Sequence, residues 1–443
     1  MPVSSGKPNI IGIPGAELER YCVEGGYKAF HGRQIFQWLY DKLVTSFDDM
    51  TDLPASLRKK LAEDFFIGCL VPEEQKVSRR EDAVKYGFRL DADAGIEAVV
   101  LFDSNRRTSF CISSQVGCPV GCAFCATGRM GLVRNLAASE IMAEVLCLVK
   151  LHGKPASILF MGMGEPLLNY DEVVKAIEFF SLLEIGNRKV TVSTCGIVKG
   201  ITRLAASGLK VKLALSLGSA VEVKRRKLIP AAKTNSLDEL KKAIIDYRYK
   251  TSRRVSIEYT VIDGVNDGEE DIAALAGFAK TTNTHVNLIR FNRVEGSRLR
   301  PPLRDRVDRF KEALGSAGVP VSERFRRGDD IRGACGQLVY PFVNGGSVNG
   351  GPVNGGLLNR GPISGDRPEE AAIPPEVPPL RKPPPREKPQ KAGSPPKRAD
   401  RSGKVGSRRT PRHEGVNRKK GVDHGTSRGS RRADPRKKKK NSL

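Results

Sequence analysis

The sequence has no long hydrophobic run, since nowhere among its 443 residues do eighteen apolar residues follow one another. A helix that crosses a bilayer needs about 20 such residues, so we expect no membrane span. The opening stretch, MPVSSGKPNIIGIPG, also lacks the charged start and long apolar segment of a secretory signal. The sequence therefore supports neither a membrane protein nor a secreted one.

Histidine is scarce, with five residues, and the nine cysteines show no pattern that would pair them as disulfides. Disulfide-dependent secreted proteins carry densely spaced cysteines, whereas scattered cysteines suit a reducing compartment. We therefore expect a cytoplasmic protein. Its hydrophobic content of 39% is enough to bury a core, and its length suits two domains and a tail.

The net charge of +25 is unevenly distributed, because residues 341–443 contribute +16 and the first 340 residues +9. The segment 341–443 begins with the imperfect repeat VNGGSVNGGPVNGG, is rich in proline, and ends in RKKKKNSL with almost no aromatic residues. Such a composition predicts a disordered basic tail. A positive surface attracts polyanions, so the charge favours a nucleic-acid partner over a solubility device alone.

Three cysteines, Cys118, Cys122 and Cys125, lie close together in the stretch CISSQVGCPVGCAFCATGRM. Thiolates at this spacing predict a metal site, and no histidine is near enough to provide a fourth ligand. A structural zinc site normally has four protein ligands, so one coordination position would be open, as it would on one iron of a cluster. The alternative is a zinc knuckle without its fourth ligand, in a non-enzymatic RNA-binding protein.

The remaining pattern predicts an α/β fold. Residues 1–70 read as a small helical domain, in which Phe30, Ile35, Trp38 and Leu39 form an apolar stripe. In the core, residues 71–340, short antiparallel strands come first, and strand-like runs such as SILFMG, KVTVSTCG and HVNLIRFN then alternate with helical ones. This alternation predicts a parallel sheet that curls into a partial (β/α) barrel, with ligands at the carboxyl ends of the strands.

Several motifs, in the same order, resemble a known family: HGRQIFQWLY, CISSQVGCPVGCAFCATGRMG, MGMGEPLLN, VTVSTCGIV and RGDDIRGACGQL. They are similar to the dual-specificity RNA adenine-C2 methyltransferases of the RlmN type, which are radical S-adenosylmethionine (SAM) enzymes. The likeness extends from about residue 15 to residue 340. It implies a radical-SAM barrel with one 4Fe-4S cluster, held by Cys118, Cys122 and Cys125 with SAM at the open iron.

The resemblance also implies a mechanism that consumes two SAM molecules per turnover. Cys335 would first accept a methyl group, and a 5'-deoxyadenosyl radical from the second SAM would remove hydrogen from it. The methylene radical would then add to the adenine ring. Glu97 would remove the ring proton, and Cys111 would release the product by forming a transient disulfide with Cys335.

The resemblance further implies a set of SAM-binding residues at the strand ends: Gly164, Glu165, Ser193, Ser216, Leu217, Gly218 and Asn292. Glycines let a ligand approach the backbone, and Glu165 can accept a hydrogen bond from the SAM amino group. The chain departs from the family pattern at Gly218, where relatives carry histidine. A side-chain contact there would become a backbone or water-mediated one.

The implied substrates are an adenosine of 23S rRNA and the adenosine next to the anticodon of tRNA. An electron donor such as flavodoxin or ferredoxin is implied as a partner, and we expect a monomer. The same cysteines could serve methylation at C8, as in the related Cfr enzymes, so the position on the ring stays open at this point.

Overall fold

The computed structural model describes residues 6–340 of the chain. In this part the helices are α1 (Gly15–Glu24), α2 (Phe30–Tyr40), α3 (Ala55–Asp64), α4 (Ala126–Met130), α5 (Ala138–His152), α6 (Tyr170–Phe180), α7 (Val198–Ala206), α8 (Glu222–Leu228), α9 (Leu237–Thr251), α10 (Glu269–Thr282) and α11 (Arg304–Ser316). The strands are β1 (Pro72–Val77), β2 (Ala83–Asp91), β3 (Ala94–Phe102), β4 (Thr108–Ile112), β5 (Gln115–Gly117), β6 (Leu132–Asn135), β7 (Ser157–Phe160), β8 (Val190–Thr194), β9 (Lys212–Ser216), β10 (Val255–Val261), β11 (His285–Arg290) and β12 (Val321–Glu323).

Ten of these strands form one sheet in the order β1-β2-β3-β4-β7-β8-β9-β10-β11-β12. Strands β1 to β4 are antiparallel, and from β4 to β12 every neighbouring pair is parallel. Because parallel neighbours need crossovers, helices lie between the parallel strands and cover the sheet. The carboxyl ends of β4 to β12 consequently meet along one edge.

The alternation of strands and helices predicted for the core is confirmed. Helix α6 begins at Tyr170, as the sequence indicates, and buries Val173, Ile177 and Phe180 at helical spacing. Helix α9 begins with a capping box, in which Ser236 and Glu239 each accept a hydrogen bond from the backbone N–H of the other. Periodicity and capping therefore set these elements locally.

Two short features of the fold have no strong pattern in the sequence. The three-residue strand β12 adds a parallel edge beside β11. Strands β5 and β6 form a separate antiparallel pair just before and after the cysteine motif. Elements of three or four residues are too short for periodicity to identify.

The N-terminal helices pack directly against the core. Ile35 and Leu39 of α2 are buried as expected, whereas Phe30 is 41% exposed. Fewer residues of the predicted apolar stripe are therefore buried than the sequence indicates. Tyr40 stacks on Phe179 of α6 with ring centroids 6.5 Å apart. One hydrophobic core therefore extends from the helical region into the sheet. The domain boundary at residue 70 stays a prediction, and β1 begins at Pro72.

Within residues 6–340, no helix combines the length and the apolar character needed to cross a bilayer. The predicted disordered tail, residues 341–443, lies outside the described residues.

Candidate active site at the carboxyl ends of the strands

The loop with the three clustered cysteines is held by backbone hydrogen bonds at its start and in its middle. Cys118 follows β5 and donates its backbone N–H to Gly131 O over 2.8 Å. Ala123, between the second and third cysteines, donates to Leu228 O at the end of α8 over 2.9 Å. These contacts fix the loop against two separate elements before any ligand binds.

The segment that carries Cys335 closes over this loop. Ala126 donates its backbone N–H to Gly336 O over 2.7 Å. Thr127 donates its hydroxyl to Leu338 O over 2.6 Å. Cys335 is therefore brought beside the cysteine loop by hydrogen bonds between residues more than 200 positions apart in the chain.

The three cysteines line a cavity of about 150 Å³ together with Cys335. In the described part of the chain, no three Cys, His, Asp or Glu side chains converge on a point suited to a single ion. The thiols instead surround a shared space. Burial raises the pKa of Cys118 to about 12 and also raises the pKa values of Cys122 and Cys125. Burial therefore favours the neutral thiol at all three positions.

The turn after β7 reaches this cavity through Gly164 and Glu165. Gly164 has φ +101°, and a Cβ there would lie 2.6 Å from the Gln115 side chain, so only glycine fits. The Glu165 carboxylate accepts hydrogen bonds from the backbone N–H groups of Leu167 at 3.2 Å and Cys195 at 2.8 Å. Burial raises the pKa of Glu165, while these hydrogen bonds oppose the rise.

The other expected SAM-binding residues divide into two groups. Ser193, Ser216 and Asn292 line the cavity, and the two serine hydroxyls are 3.4 Å apart. Leu217 and Gly218 do not line it. Their carbonyl oxygens accept hydrogen bonds from Arg225 and Asn266, so they face the packing behind the loop.

A second cavity, of about 260 Å³, brings Cys111 and Cys335 together. Cys111 lies in this cavity because its strand, β4, pairs with β7. Cys335 lies there because it is part of the segment that follows β12. Cys111 is buried and Cys335 is exposed. Burial raises the pKa of Cys111, and the nearby Cys335 raises it further. All nine cysteines are free, so the expected transient disulfide is not formed in this structure.

Arg324 and Glu258 form an ion pair beside these thiols. The guanidinium Nη1 lies 3.2 Å from Glu258 Oε2 and 3.4 Å from Met161 Sδ. Burial lowers the pKa of Arg324, but Cys335, Glu258 and Cys111 together outweigh burial and raise it overall. Arg324 lines both cavities and is a positive charge close to both thiols.

Glu97 does not line either cavity. Its carboxylate is buried, with Lys85 Nζ 2.7 Å from Oε1 and the backbone N–H of Val339 donating to Oε2 over 2.9 Å. Burial raises the pKa of Glu97, and the Lys85 ammonium opposes the rise. Since Val339 follows Leu338, which lines both cavities, Glu97 lies directly behind the cavity wall.

Comparison with known proteins identifies the family. Residues 8–67 match the family model of the ribosomal RNA large subunit methyltransferase N-terminal domain, and residues 112–276 match the radical SAM superfamily. A probable dual-specificity RNA methyltransferase RlmN of Thermotoga maritima is 42% identical over 335 residues, covering 74% of this chain and 97% of the relative. The chain belongs to the RlmN family.

Two further comparisons agree with this assignment. The probable RlmN of Symbiobacterium thermophilum is 42% identical over 336 residues, covering 74% of this chain and 90% of the relative. The crystal structure of a radical SAM methyltransferase from Sphaerobacter thermophilus superposes with a TM-score of 0.72 at 38% identity, covering 75% of this chain and all of that one. The RlmN family fold, with its helical N-terminal region and parallel sheet, is therefore established for residues 6–340.

Radical SAM membership implies a 4Fe-4S cluster and SAM, and the residues of this RlmN-family chain fit both. Each cysteine ligand of such a cluster binds a different iron, and one iron is left for SAM, so thiols placed around a cavity suit it better than thiols converging on one ion. Cys118, Cys122 and Cys125 provide three. The Glu165 turn and the Ser193 and Ser216 hydroxyls provide polar groups on another wall.

Three residues of this RlmN-family site were missed in the sequence. Glu258 gave a signal, because it is a carboxylate inside the buried strand VSIEYTV. Arg324 and Arg225 gave none, since each lies in an arginine-rich stretch that reads as a solvated surface. Arg225 is fully buried and donates to Cys195 O over 2.8 Å and to Leu217 O.

Proposed function

We propose that this chain methylates carbon 2 of an adenosine in 23S rRNA and of the adenosine next to the anticodon in tRNA. Two SAM molecules are consumed for each methyl group. The identity of its relatives as probable dual-specificity RNA methyltransferases supports the two RNA substrates. The observation that carries the proposal is the position of Cys335, which lines both the cavity of the three cysteines and the cavity of Cys111.

Carbon 2 of adenine has no nucleophilic lone pair, so a polar transfer from SAM to this atom is blocked. The methyl carbon therefore travels through Cys335. Its thiolate attacks the methyl group of the first SAM, and S-adenosylhomocysteine leaves. The exposure of Cys335 leaves its sulfur accessible to SAM, and Arg324 lines the same two cavities.

Cys118, Cys122 and Cys125 would hold the cluster, which when bound supplies the electron that cleaves the second SAM. Glu165, Gly164, Ser193, Ser216 and Asn292 would orient that SAM from the other walls of the same cavity. Since Cys335 lines this cavity too, its sulfur faces the space in which that SAM would be held. Leu217 and Gly218 act from behind the loop, through their backbone contacts.

Cys111 and Glu97 act after the carbon has joined the ring. The Cys111 thiolate attacks the Cys335 sulfur, and the electron pair of the broken sulfur–carbon bond goes to the methylene carbon. That carbon takes up a proton and becomes the methyl group, and a Cys111–Cys335 disulfide is left. Glu97 accepts the ring proton, which requires its carboxylate to reach the cavity directly or through one water. Leu338 and Val339 lie between Glu97 and the cavity. A movement of these two residues would bring the carboxylate into contact with the cavity.

An electron donor of the flavodoxin or ferredoxin type, a cytoplasmic location and a monomeric state belong to the same proposal. The scattered cysteines of the sequence support the reducing compartment that an iron-sulfur enzyme requires. Light scattering of the anaerobically purified protein measures the monomer directly.

The test is the product of the reaction. The reconstituted protein is incubated with SAM, a reductant and either 23S rRNA or tRNA, and the digested RNA is analysed by mass spectrometry against both methyladenosine standards. We expect 2-methyladenosine from both RNAs. Formation of 8-methyladenosine would assign the chain to the alternative reaction, and no methylated base with active SAM cleavage would refute an RNA substrate.

A further inference from the structure

Phe325 is an aromatic side chain placed in water at the entrance of the Cys111–Cys335 cavity. It is 89% exposed and lines that cavity. It follows β12, so its backbone is anchored by the sheet while its ring is free. A single exposed apolar residue is ordinary on a protein surface, but an exposed ring on the wall of a reaction cavity is positioned for a ligand.

The two residues after this ring carry positive charge. Arg326 is held in place, since its Nε donates to Asn292 Oδ1 over 2.8 Å. Arg327 also lines the cavity, is partly exposed, and makes no hydrogen bond or ion pair with any residue between 6 and 340. One guanidinium beside Phe325 is therefore available to an anion.

Arg326 has charges of both signs near it. Its Nη2 lies 3.9 Å from Asp329 Oδ2, and Glu323 on the same cavity wall pairs with Arg304. Burial lowers the pKa of Arg326; Asp329 opposes this effect, whereas the positive charges of Arg290 and Arg80 add to it. Since both acidic residues are paired with arginines, Arg327 is left, among the described residues, as the unpaired charge on this wall. Such a charge attracts a phosphate backbone.

We propose that Phe325 is the stacking platform for the adenine that enters the cavity, and that Arg327 pairs with a phosphate of the same RNA strand. This inference depends on the proposed RNA function and adds the residues that receive the base. A base taken out of its helix loses stacking on both faces, and an aromatic side chain restores one of them. The apolar ring and the unpaired cation match the two parts of a nucleotide.

The first experiment measures stacking. An RNA hairpin carries 2-aminopurine at the target adenosine or at its neighbour, and the protein is used without reductant so that no radical forms. We expect the Phe325→Leu variant to bind the hairpin about tenfold or more weakly and to leave the target probe brighter than wild type does. Phe325→Tyr should restore both values.

The matched control is Tyr249→Leu, which removes another exposed aromatic ring, 87% exposed, on α9 and away from both cavities. It should bind RNA as wild type does. Equal affinity and brightness for Phe325→Leu and wild type would overturn the proposal. A Phe325-dependent change only at the neighbouring base would overturn the assignment to the target adenine.

The second experiment measures the phosphate contact. For Arg327→Gln, the slope of log Kd against log salt should fall by about one, equally for target and unrelated RNAs. Arg309→Gln, an exposed arginine on α11 that lines neither cavity, is the control. A slope unchanged in Arg327→Gln, or reduced equally in both variants, would refute the contact.

Methylation of Cys335 by SAM, and SAM cleavage, are measured without RNA in every variant. If wild type lacks both activities, the proposed function fails. If both are intact and Phe325→Leu still binds RNA normally, only this inference fails.

Discussion

Ala126 donates its backbone N–H to the carbonyl oxygen of Gly336 over 2.7 Å. The first residue follows the last of the clustered cysteines, and the second follows Cys335. This backbone hydrogen bond, together with that from the Thr127 hydroxyl to Leu338 O, joins the cysteine loop to the segment that contains Cys335. In the proposed function, the geometry of the reaction therefore depends on two segments that are far apart in sequence.

Replacing Cys111 by alanine should trap an intermediate. Without a second thiol, the bond between the Cys335 sulfur and the RNA cannot be broken by disulfide formation. We expect a protein–RNA adduct that survives denaturing electrophoresis and is absent from wild type. Cys147→Ala, on α5 and outside both cavities, should behave as wild type. Free product from Cys111→Ala at the wild-type rate would contradict the role.

The proton acceptor can be identified by comparing three carboxylates. Glu97→Gln should slow product release by about 10²- to 10⁴-fold and accumulate the same adduct, as expected for loss of a general base. Glu323→Gln, which lines the Cys111 cavity and pairs with Arg304, should keep turnover near wild type. If the adduct accumulates in Glu323→Gln or Glu258→Gln but not in Glu97→Gln, the proton acceptor is the residue whose variant accumulates it and not Glu97. Thermal unfolding of each variant separates this effect from misfolding, because Lys85 loses its partner in Glu97→Gln.

Arg225→Met should destabilise the fold and weaken SAM binding. The variant removes two hydrogen bonds from a buried guanidinium and leaves the carbonyl groups of Cys195 and Leu217 unsatisfied. We expect a loss of about 2–4 kcal/mol in the free energy of unfolding, measured with urea. Arg226→Met, whose exposed side chain pairs with Glu222, should change stability by less than about 1 kcal/mol. Equal effects of the two substitutions would contradict this reading.

Glu144 should make stability depend on pH. It is fully buried beneath Ser113, whose backbone N–H donates to its carboxyl oxygens at 3.1 and 3.2 Å, and burial raises its pKa well above the ordinary value. The folded protein therefore holds a proton that the unfolded chain releases, so stability is present at low pH and is lost as pH rises through the raised pKa. Glu144→Gln should flatten this decline in urea unfolding between about pH 5 and 9. Glu178→Gln, an exposed residue of α6, should leave it unchanged.

Gly164→Ala should impair SAM binding more than backbone strain alone explains. A Cβ at Gly164 would lie 2.6 Å from the Gln115 side chain in addition to facing a positive φ. Gly153→Ala is matched, since Gly153 also has a positive φ of +74° but nothing within 4 Å of an added Cβ. We expect about 1–3 kcal/mol of destabilisation for Gly153→Ala and more for Gly164→Ala, with weaker SAM affinity only in the second. Calorimetric titration measures that affinity.

Much of the fold could be predicted because its signals are local. Alternating strands and helices, and the capping box at Ser236, are encoded within about 15 residues of sequence. The short strand β12 could not be found in this way, since three residues carry no period. Its position beside β11 is set by pairing with a strand more than thirty residues earlier.

The candidate site was predictable where its chemistry is concentrated in one motif. Cys118, Cys122 and Cys125 stand out because they lie close together in the chain, and they line one cavity. Their role as cluster ligands stays a prediction. Leu217 and Gly218 show the limit of such reasoning. Both lie at the expected strand end, but their carbonyl groups bond Arg225 and Asn266 behind the loop, because a turn can direct its backbone to either side.

By itself, the sequence determined the types of element, the loop of three thiols and the family resemblance, because each depends on residues that are near neighbours in the chain. Only the tertiary structure decided that Cys335 lies beside both Cys111 and the cysteine loop. It also decided that Glu97 pairs with Lys85 behind the cavity wall formed by Leu338, and that Phe325 is exposed to water at the entrance of the Cys111–Cys335 cavity. These relations arise from packing between distant segments, and packing is a property of the folded chain as a whole.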